Sequence, residues 1–462
     1  MLRRRMNGSN AGPAGRFLWG VATSAFQLEG STQADWMEWD RFLRLDHRIT
    51  NHWDLFRNDL ALLEELGVNA YRFSLEWSRI QPAPDAWDEG ACRKYRETVD
   101  ILLSKGITPM VTLHHFTHPL WFIRETPWHK PESVGSFLRY AERLLPMFGD
   151  VIFWITFNEP LVLLLGGYLS GHMPPGEKDP DKAFRAIGNI LLAHSQVYDM
   201  IHSLFRNRMV SIAHNMMAFA PSRPFFPPDR FLARRADAFY NFSILEAFKS
   251  GILNLHFPFS KPSVRELPVK GKIDFIGINY YTRLHLRFSP LEPFFLEIHK
   301  DKPSGGSRSD LGWEIYPQGL SRILRKVKDY GKPVFITENG IASCSEEKKT
   351  RFIDNHIKEI RAMIREGMDI RGYFYWSFLD NYEWLCGLDA RFGLYRVNYE
   401  NYGRESTEAA RFYRNLIKSS GDICSGNHSW KVLTRAKKSC KPCLLYTSPS
   451  PRDRTRSRMP SS

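Results

Sequence analysis

At 462 residues the chain can hold two or three ordinary domains or one large α/β barrel, and 43% hydrophobic content suffices for a substantial core. The net charge of +14 invites a nucleic-acid partner. Its distribution argues against one, because residues 421–462 carry nine Lys/Arg against two Asp, Arg3, Arg4 and Arg5 add three more, and the remainder is only mildly basic.

Taken in chain order, residues 1–15 are basic but lack a following apolar stretch, so no secretory signal is visible and a disordered lead-in is expected. Eight strand-like runs come next: Phe17–Phe26, Val68–Trp77, Thr108–His115, Ile152–Glu159, Met209–Met216, Ile273–Thr282, Pro333–Asn339 and Gly372–Asp380. Helical patterns separate most of them, such as Asp59–Leu66 and Tyr95–Leu103. Gly67, Gly106, Gly149, Gly331 and Gly367 each stand a few residues before a strand, where a left-handed turn would end the preceding helix. Strands alternating with helices imply a parallel sheet, and eight strands close a barrel. The expected fold is α/β, a single (β/α)8 TIM barrel over residues 16–420. After residue 421 the periodicity is lost and Ser, Pro, Arg and Lys dominate, so 421–462 reads as a disordered tail outside the fold.

Two of the runs end alike. TFNEP at 156–160 and ITENG at 336–340 each place a glutamate beside an asparagine at a strand's carboxyl end. A lone Glu there is usually a solvated loop residue. A pair facing one pocket, Glu159 and Glu338, suits glycoside hydrolysis, in which one acid protonates the departing oxygen and the other carboxylate attacks carbon. In Tyr71–Ser78 aromatic and aliphatic residues alternate with Arg72, Ser74, Glu76 and Ser78, which sends an arginine inward. A buried arginine demands a carboxylate partner, either a structural one or a catalytic one. Gln27, His115, Asn158, Asn279, Tyr281 and Trp376 also fall at strand ends, the rim on which such barrels build their sites. Thirteen Trp serve either core packing or sugar stacking.

Six cysteines are scattered, and the one C-x-x-C (Cys440, Cys443) has no second pair to complete a zinc site. They read as reduced thiols in a cytoplasmic protein, with no metal. The longest apolar stretch, near Leu161–Leu165, is far too short to span a bilayer, so no membrane partner is expected.

Together, FLWGVATSAFQLEG (17–30), NAYRFSLEWSRIQP (69–82), VTLHHFTHPLWF (111–122), TFNEP, DFIGINYYT (274–282), LGWEIYPQGL (311–320), ITENG and YWSFLDNYEWLCGLDARFGLY (375–395) resemble glycoside hydrolase family 1, over roughly residues 16–418. The DWMEW and HHFT forms are similar to its compact bacterial and archaeal branch. The resemblance implies a retaining exo-β-glycosidase without cofactor, acting on a small β-glycoside or oligosaccharide. β-Glucosidase activity leads, with β-galactosidase and β-fucosidase side activities. It casts Glu159 as acid/base and Glu338 as nucleophile, with Arg72, Asn158, Tyr281 and Asn279 in support. Gln27, His115, Trp376, Glu383, Trp384 and Phe392 would hold the sugar, and Trp313, Trp121 and Leu161 would face the leaving group. The Glu383-Trp384 pair implies an unphosphorylated hexose, and Glu159 an O-glycosidase. Departures are Asn51-His52-Trp53 in place of DHY/DHW, a short Ser31–Asn51 loop, Leu161 in place of an aromatic, and an irregular end motif at Arg404-Glu405-Ser406. The alternative is an inactive carbohydrate- or protein-binding barrel, whose relatives usually lose one glutamate. Oligomeric state stays open.

Overall fold

A computed structural model describes residues 16–40, 48–256, 262–292, 296–298 and 307–420. The expected disorder of 1–15 and 421–462 lies outside these residues, as does part of the short Ser31–Asn51 loop. Eight parallel strands form a closed ring: β1 (Leu18–Ala22), β2 (Ala70–Ser74), β3 (Thr108–His114), β4 (Phe153–Asn158), β5 (Met209–Pro221), β6 (Ile276–Phe288), β7 (Val334–Asn339) and β8 (Ile370–Trp376). Each pairs with the next in sequence. The ring shuts where β8 runs beside β1, from Leu18 opposite Gly372 to Ala22 opposite Trp376. The barrel read from the sequence is therefore the observed fold.

Helices cover the outside: α1 (His52–Leu66), α2 (Glu89–Ser104), α3 (Glu132–Leu144), α4 (Pro180–Leu204), α5 (Ser243–Ser250), α6 (Pro317–Val327), α7 (Glu346–Arg365) and α8 (Glu408–Ser419). Their starts follow capping chemistry. Asp88, Ser345 and Thr407 each accept a backbone N–H from the first turn of α2, α7 and α8. In α1 the buried Phe56, Leu60, Leu63 and Leu66 recur at helical spacing and face the sheet. Gly67 then ends it at φ 76°, its N–H reaching the carbonyls of Leu63 and Glu64. Gly149 departs from that expectation. It follows a 3-10 turn (Leu145–Phe148) and keeps a right-handed φ of −62°, because the tightened turn has already ended the helix.

The barrel's amino-terminal end is plugged by aromatic rings. Phe335 packs against Phe153 and Phe275 at centroid separations of 5.3 and 5.0 Å. Each such ring contributes roughly 1.5–3 kcal/mol on burial. With the base filled, the polar residues gather at the opposite rim. Several expected boundaries move, among them the ends of β2, now Ala70–Ser74, and β8, now Ile370–Trp376. β1 stops at Ala22, since Ser24 bonds the side chain of Gln27 and the chain turns into a short helix, Ala25–Glu29. β5 and β6 run on past the rim, paired from Ala218–Arg283 to Pro221–Leu286. An antiparallel ribbon, Ile252–Leu255 with Ser263–Glu266, has no counterpart in the sequence reading.

Cys344 is disulfide-bonded, which overturns the all-reduced reading; spacing alone does not reveal which cysteines meet. Among the described residues no helix is long and apolar enough to cross a membrane.

Candidate active site

The two glutamates reach the pocket by breaking strand alternation. Along β7, Phe335 faces the barrel interior and Ile336 the helices, so regular alternation would send Glu338 outward with Ile336. A register shift between Ile336 and Glu338 re-aims the carboxylate inward. A similar irregularity lies between Ile155 and Asn158 on β4, and it lets Asn158 and Glu159 serve the pocket in succession. Glu159 then adopts left-handed backbone angles, φ 45° and ψ 58°, immediately before Pro160. That region is unfavourable for a residue with a Cβ, and such strain gathers at working sites. Its N–H is held by the carbonyl of Ala213 at 2.7 Å.

Arg72 is fully buried and its partner is Glu338, 2.6 Å from Nη1 to Oε1. The same guanidinium donates to the Thr337 carbonyl, Asn158 Oδ1 and Thr112 Oγ1. Tyr281 donates to the other oxygen of Glu338 at 2.5 Å. Asn279 Nδ2 donates to Glu159 Oε1 at 2.7 Å and to Asn158 Oδ1 at 3.1 Å. Asn158 Oδ1 also accepts from Arg72, whose other terminal nitrogen holds Glu338, so one hydrogen-bond network joins the two carboxyl groups.

Burial pushes Glu159 up to about 8, and the charge of Glu338 adds to the rise. Burial acts upward on Glu338 as well, against the Arg72 cation and the Tyr281 hydroxyl bound to it. The partners are asymmetric: a cation and a hydroxyl hold Glu338, whereas two amides hold Glu159.

Around this pair the other sugar-site candidates converge. Asn158 Nδ2 meets His115 Nε2 at 3.1 Å. The His115 ring lies nearly parallel to Trp376 and Trp384, with centroids 5.8 and 6.3 Å away. Gln27 Nε2 donates to the Tyr382 carbonyl at 2.7 Å and to Glu383 Oε2 at 3.3 Å. Burial with the Glu338 charge pushes Glu383 to about 8. Trp313 and Phe392 pack on the outer side of Tyr281, 5.7 and 6.3 Å between centroids.

Comparison with known proteins agrees with this geometry. Residues 12–422 match the profile described as Glycosyl hydrolase family 1. The chain belongs to that family. It is 33% identical to beta-glucosidase A of Thermotoga maritima, over 88% of this chain and 97% of the relative. It is 30% identical to a beta-galactosidase of Pyrococcus woesei, over 88% and 97%. Among solved structures, a beta-glycosidase from Pyrococcus horikoshii superposes with a TM-score of 0.81 at 39% identity, covering 87% of this chain and 94% of that one. As a family 1 member the chain is an O-glycoside hydrolase of the β-glucosidase type.

The residues expected on the leaving-group side differ in exposure: Trp313 is half-buried beside Tyr281, and Leu161 is 1% exposed. Trp121 is also buried. Its indole N–H donates to the Gln81 carbonyl and its ring packs edge-on to Trp77. The irregular sequence at 404 and at 51–53 turns out to be one structure. Arg404 grips Asp59 through two bonds of 2.7 and 2.8 Å, and His52 Nδ1 meets the same carboxylate at 2.7 Å.

Two residues escaped sequence reasoning. Asn215 near the middle of β5 donates to Glu159 Oε1 at 3.0 Å, and Tyr240 donates to Asn215 Oδ1 at 2.8 Å. The string His214-Asn215 inside an apolar strand was the available signal for the first. Nothing local marks Tyr240, which arrives from a π-helical turn, Asp237–Phe242.

Proposed function

We propose that the protein is a retaining exo-β-glycosidase that releases terminal, unphosphorylated β-D-hexose. β-Glucosides are its main substrates, and β-galactosides and β-fucosides are side substrates. The observation that carries this reading is the unlike partners of two linked, buried carboxyl groups: Arg72 and Tyr281 bond Glu338, whereas the amides of Asn215 and Asn279 bond Glu159. Asn158 Oδ1 accepts from both Arg72 and Asn279, and this short bridge supports the roughly 5–5.5 Å spacing of retaining pairs over the roughly 6.5–9.5 Å that leaves room for an inverting water.

Glu338 attacks the anomeric carbon while the Glu159 proton passes to the departing oxygen. Water then replaces the ester, giving one proton back to Glu159 and releasing Glu338 as carboxylate. Loss of the Glu338 charge in the ester removes one cause of the raised Glu159 pKa, which prepares it to act as base. Asn158, held by Arg72 and His115, is placed to bond the sugar 2-hydroxyl. Glu383 accepts from Gln27, and a hexose 6-phosphate would want cations there. A T. maritima family 1 glycoside hydrolase, 32% identical, was solved with a cyclophellitol analogue described as a transition state mimic, which fits a site of this kind.

The test is stereochemical. With an aryl β-glucoside, NMR of the first product should show the β-anomer. Glu338→Ala should lose on the order of 10⁴-fold or more in rate. Azide should rescue that variant and yield the α-glucosyl azide. An α-anomer from the wild type would overturn the proposal.

A further inference from the structure

The hydrogen bonds at Glu159 are directional. Its Oε1 accepts from two amides, Asn279 at 2.7 Å and Asn215 at 3.0 Å, and a carboxyl oxygen has two in-plane lone pairs. Each amide is itself oriented by a hydroxyl. Thr337 Oγ1 donates to Asn279 Oδ1 at 2.7 Å, and Tyr240 donates to Asn215 Oδ1 at 2.8 Å. Turning the Asn215 amide over would make Tyr240 an acceptor, and among the described residues its hydroxyl has no other acceptor. Burying an O–H without a partner is unfavourable by about 1–3 kcal/mol, so the amide keeps its nitrogen toward Glu159.

Tyr240 can reach because of the π-helical turn that carries it. That turn is sewn to β5: Asn241 accepts from the Met217 N–H and donates to the Met217 carbonyl, and His214 Nε2 lies 3.0 Å from the Tyr240 carbonyl. A π-turn inserts one residue relative to an α-helix and shifts side-chain facing, a device frequent at functional sites.

We propose that the Tyr240–Asn215 pair is a positioning device that occupies Glu159 Oε1 and so confines the transferable proton to Oε2, the oxygen left for the leaving group. The inference rests on the acid/base reading of Glu159. Neither residue touches substrate; both act through the carboxyl. The groups facing Glu159 electrostatically are Glu338 on β7, Arg72 on β2, Tyr240 on the π-turn, Tyr281 on β6 and Glu383 beyond β8. The Asn215 bond favours the ionised carboxylate, so its loss should raise the Glu159 pKa.

The test compares purified wild type, Tyr240→Phe and Glu159→Ala on two β-glucosides. A dinitrophenyl leaving group departs without protonation, and an alkyl leaving group requires it. kcat/KM reports the first, glycosylating step for both. Tyr240→Phe should lower kcat/KM for the alkyl glucoside roughly tenfold, part of the 10²–10⁴-fold worth of general-acid catalysis. The dinitrophenyl value should fall much less, and the basic limb of the pH profile should move to higher pH. Equal losses on both substrates, or no loss on either, would overturn the proposal. Glu159→Ala separates the two claims. If it shows no preference for the dinitrophenyl glucoside, the acid/base assignment itself fails. If it does and Tyr240→Phe does not, only the positioning role fails.

Discussion

Glu159, Glu383 and Glu76 share an electrostatic property: burial raises the first two to about 8 and the third to about 7, from 4.5. For catalysis, kcat/KM should fall on the basic side near pH 8 as Glu159 loses its proton. For stability, the folded state binds these protons more tightly than the unfolded one. That contribution is complete below about pH 4.5 and is lost as pH rises toward 8. Glu159→Gln removes one such proton site, so its melting temperature should drop less than that of the wild type between pH 5 and pH 8. Equal drops in calorimetry would refute the link. At this scale the sequence was informative where chemistry is local: TFNEP and ITENG disclose the carboxyl pair, and the alternation around Arg72 discloses a buried cation. It was silent on Tyr240, because orientation there depends on a π-turn that no short string encodes. The shift after Ile336 that turns Glu338 inward leaves no compositional mark.

At the level of elements, two glycines serve unlike purposes. Gly67 ends α1 at φ 76° with open space where a Cβ would stand. Its replacement by alanine should therefore cost only the backbone penalty of about 1 kcal/mol, read as a small shift in a denaturant midpoint. Gly340 follows the nucleophile strand, and a Cβ there would lie 1.7 Å from the Trp376 carbonyl oxygen. Gly340→Ala should displace the end of β7 or β8 and abolish glucosidase activity, whereas Gly67→Ala retains it. All eight strands were legible because each is a short apolar run between a helix end and a polar rim residue. The extensions of β5 and β6 were not, since residues beyond Met216 and Thr282 pair with each other above the barrel and carry little alternation. The Gly149 exception has the same origin, a turn closed by Pro146 and its neighbours before the glycine is reached.

Over the whole molecule, the ring is fastened where its two ends meet. Tyr413 of α8 donates to the Gly20 carbonyl on β1, and Arg404 grips Asp59 on α1. Burial alone would raise Asp59, and its bonds to His52 and Arg404 carry it below 3.8 instead. The resulting stability is present above that pH and is lost as pH falls through the lower folded value. Arg404→Ala leaves a buried carboxylate without its cation and should destabilise the protein by about 3–5 kcal/mol at neutral pH, with a smaller penalty in strong acid. A loss unaffected by acid would argue against the ion pair. The sequence marked residues 51–53 and 404–406 only as separate departures from a pattern. Their meeting across the fold could not be read from either.

That clasp joins positions 345 residues apart. During synthesis, the amino-terminal strand and first helix must wait for nearly the entire polypeptide to leave the ribosome before their fixed partner exists. Nascent chains halted short of residue 370 should expose an unclosed seam between β1 and its missing neighbour β8, an invitation to chaperones or to self-association.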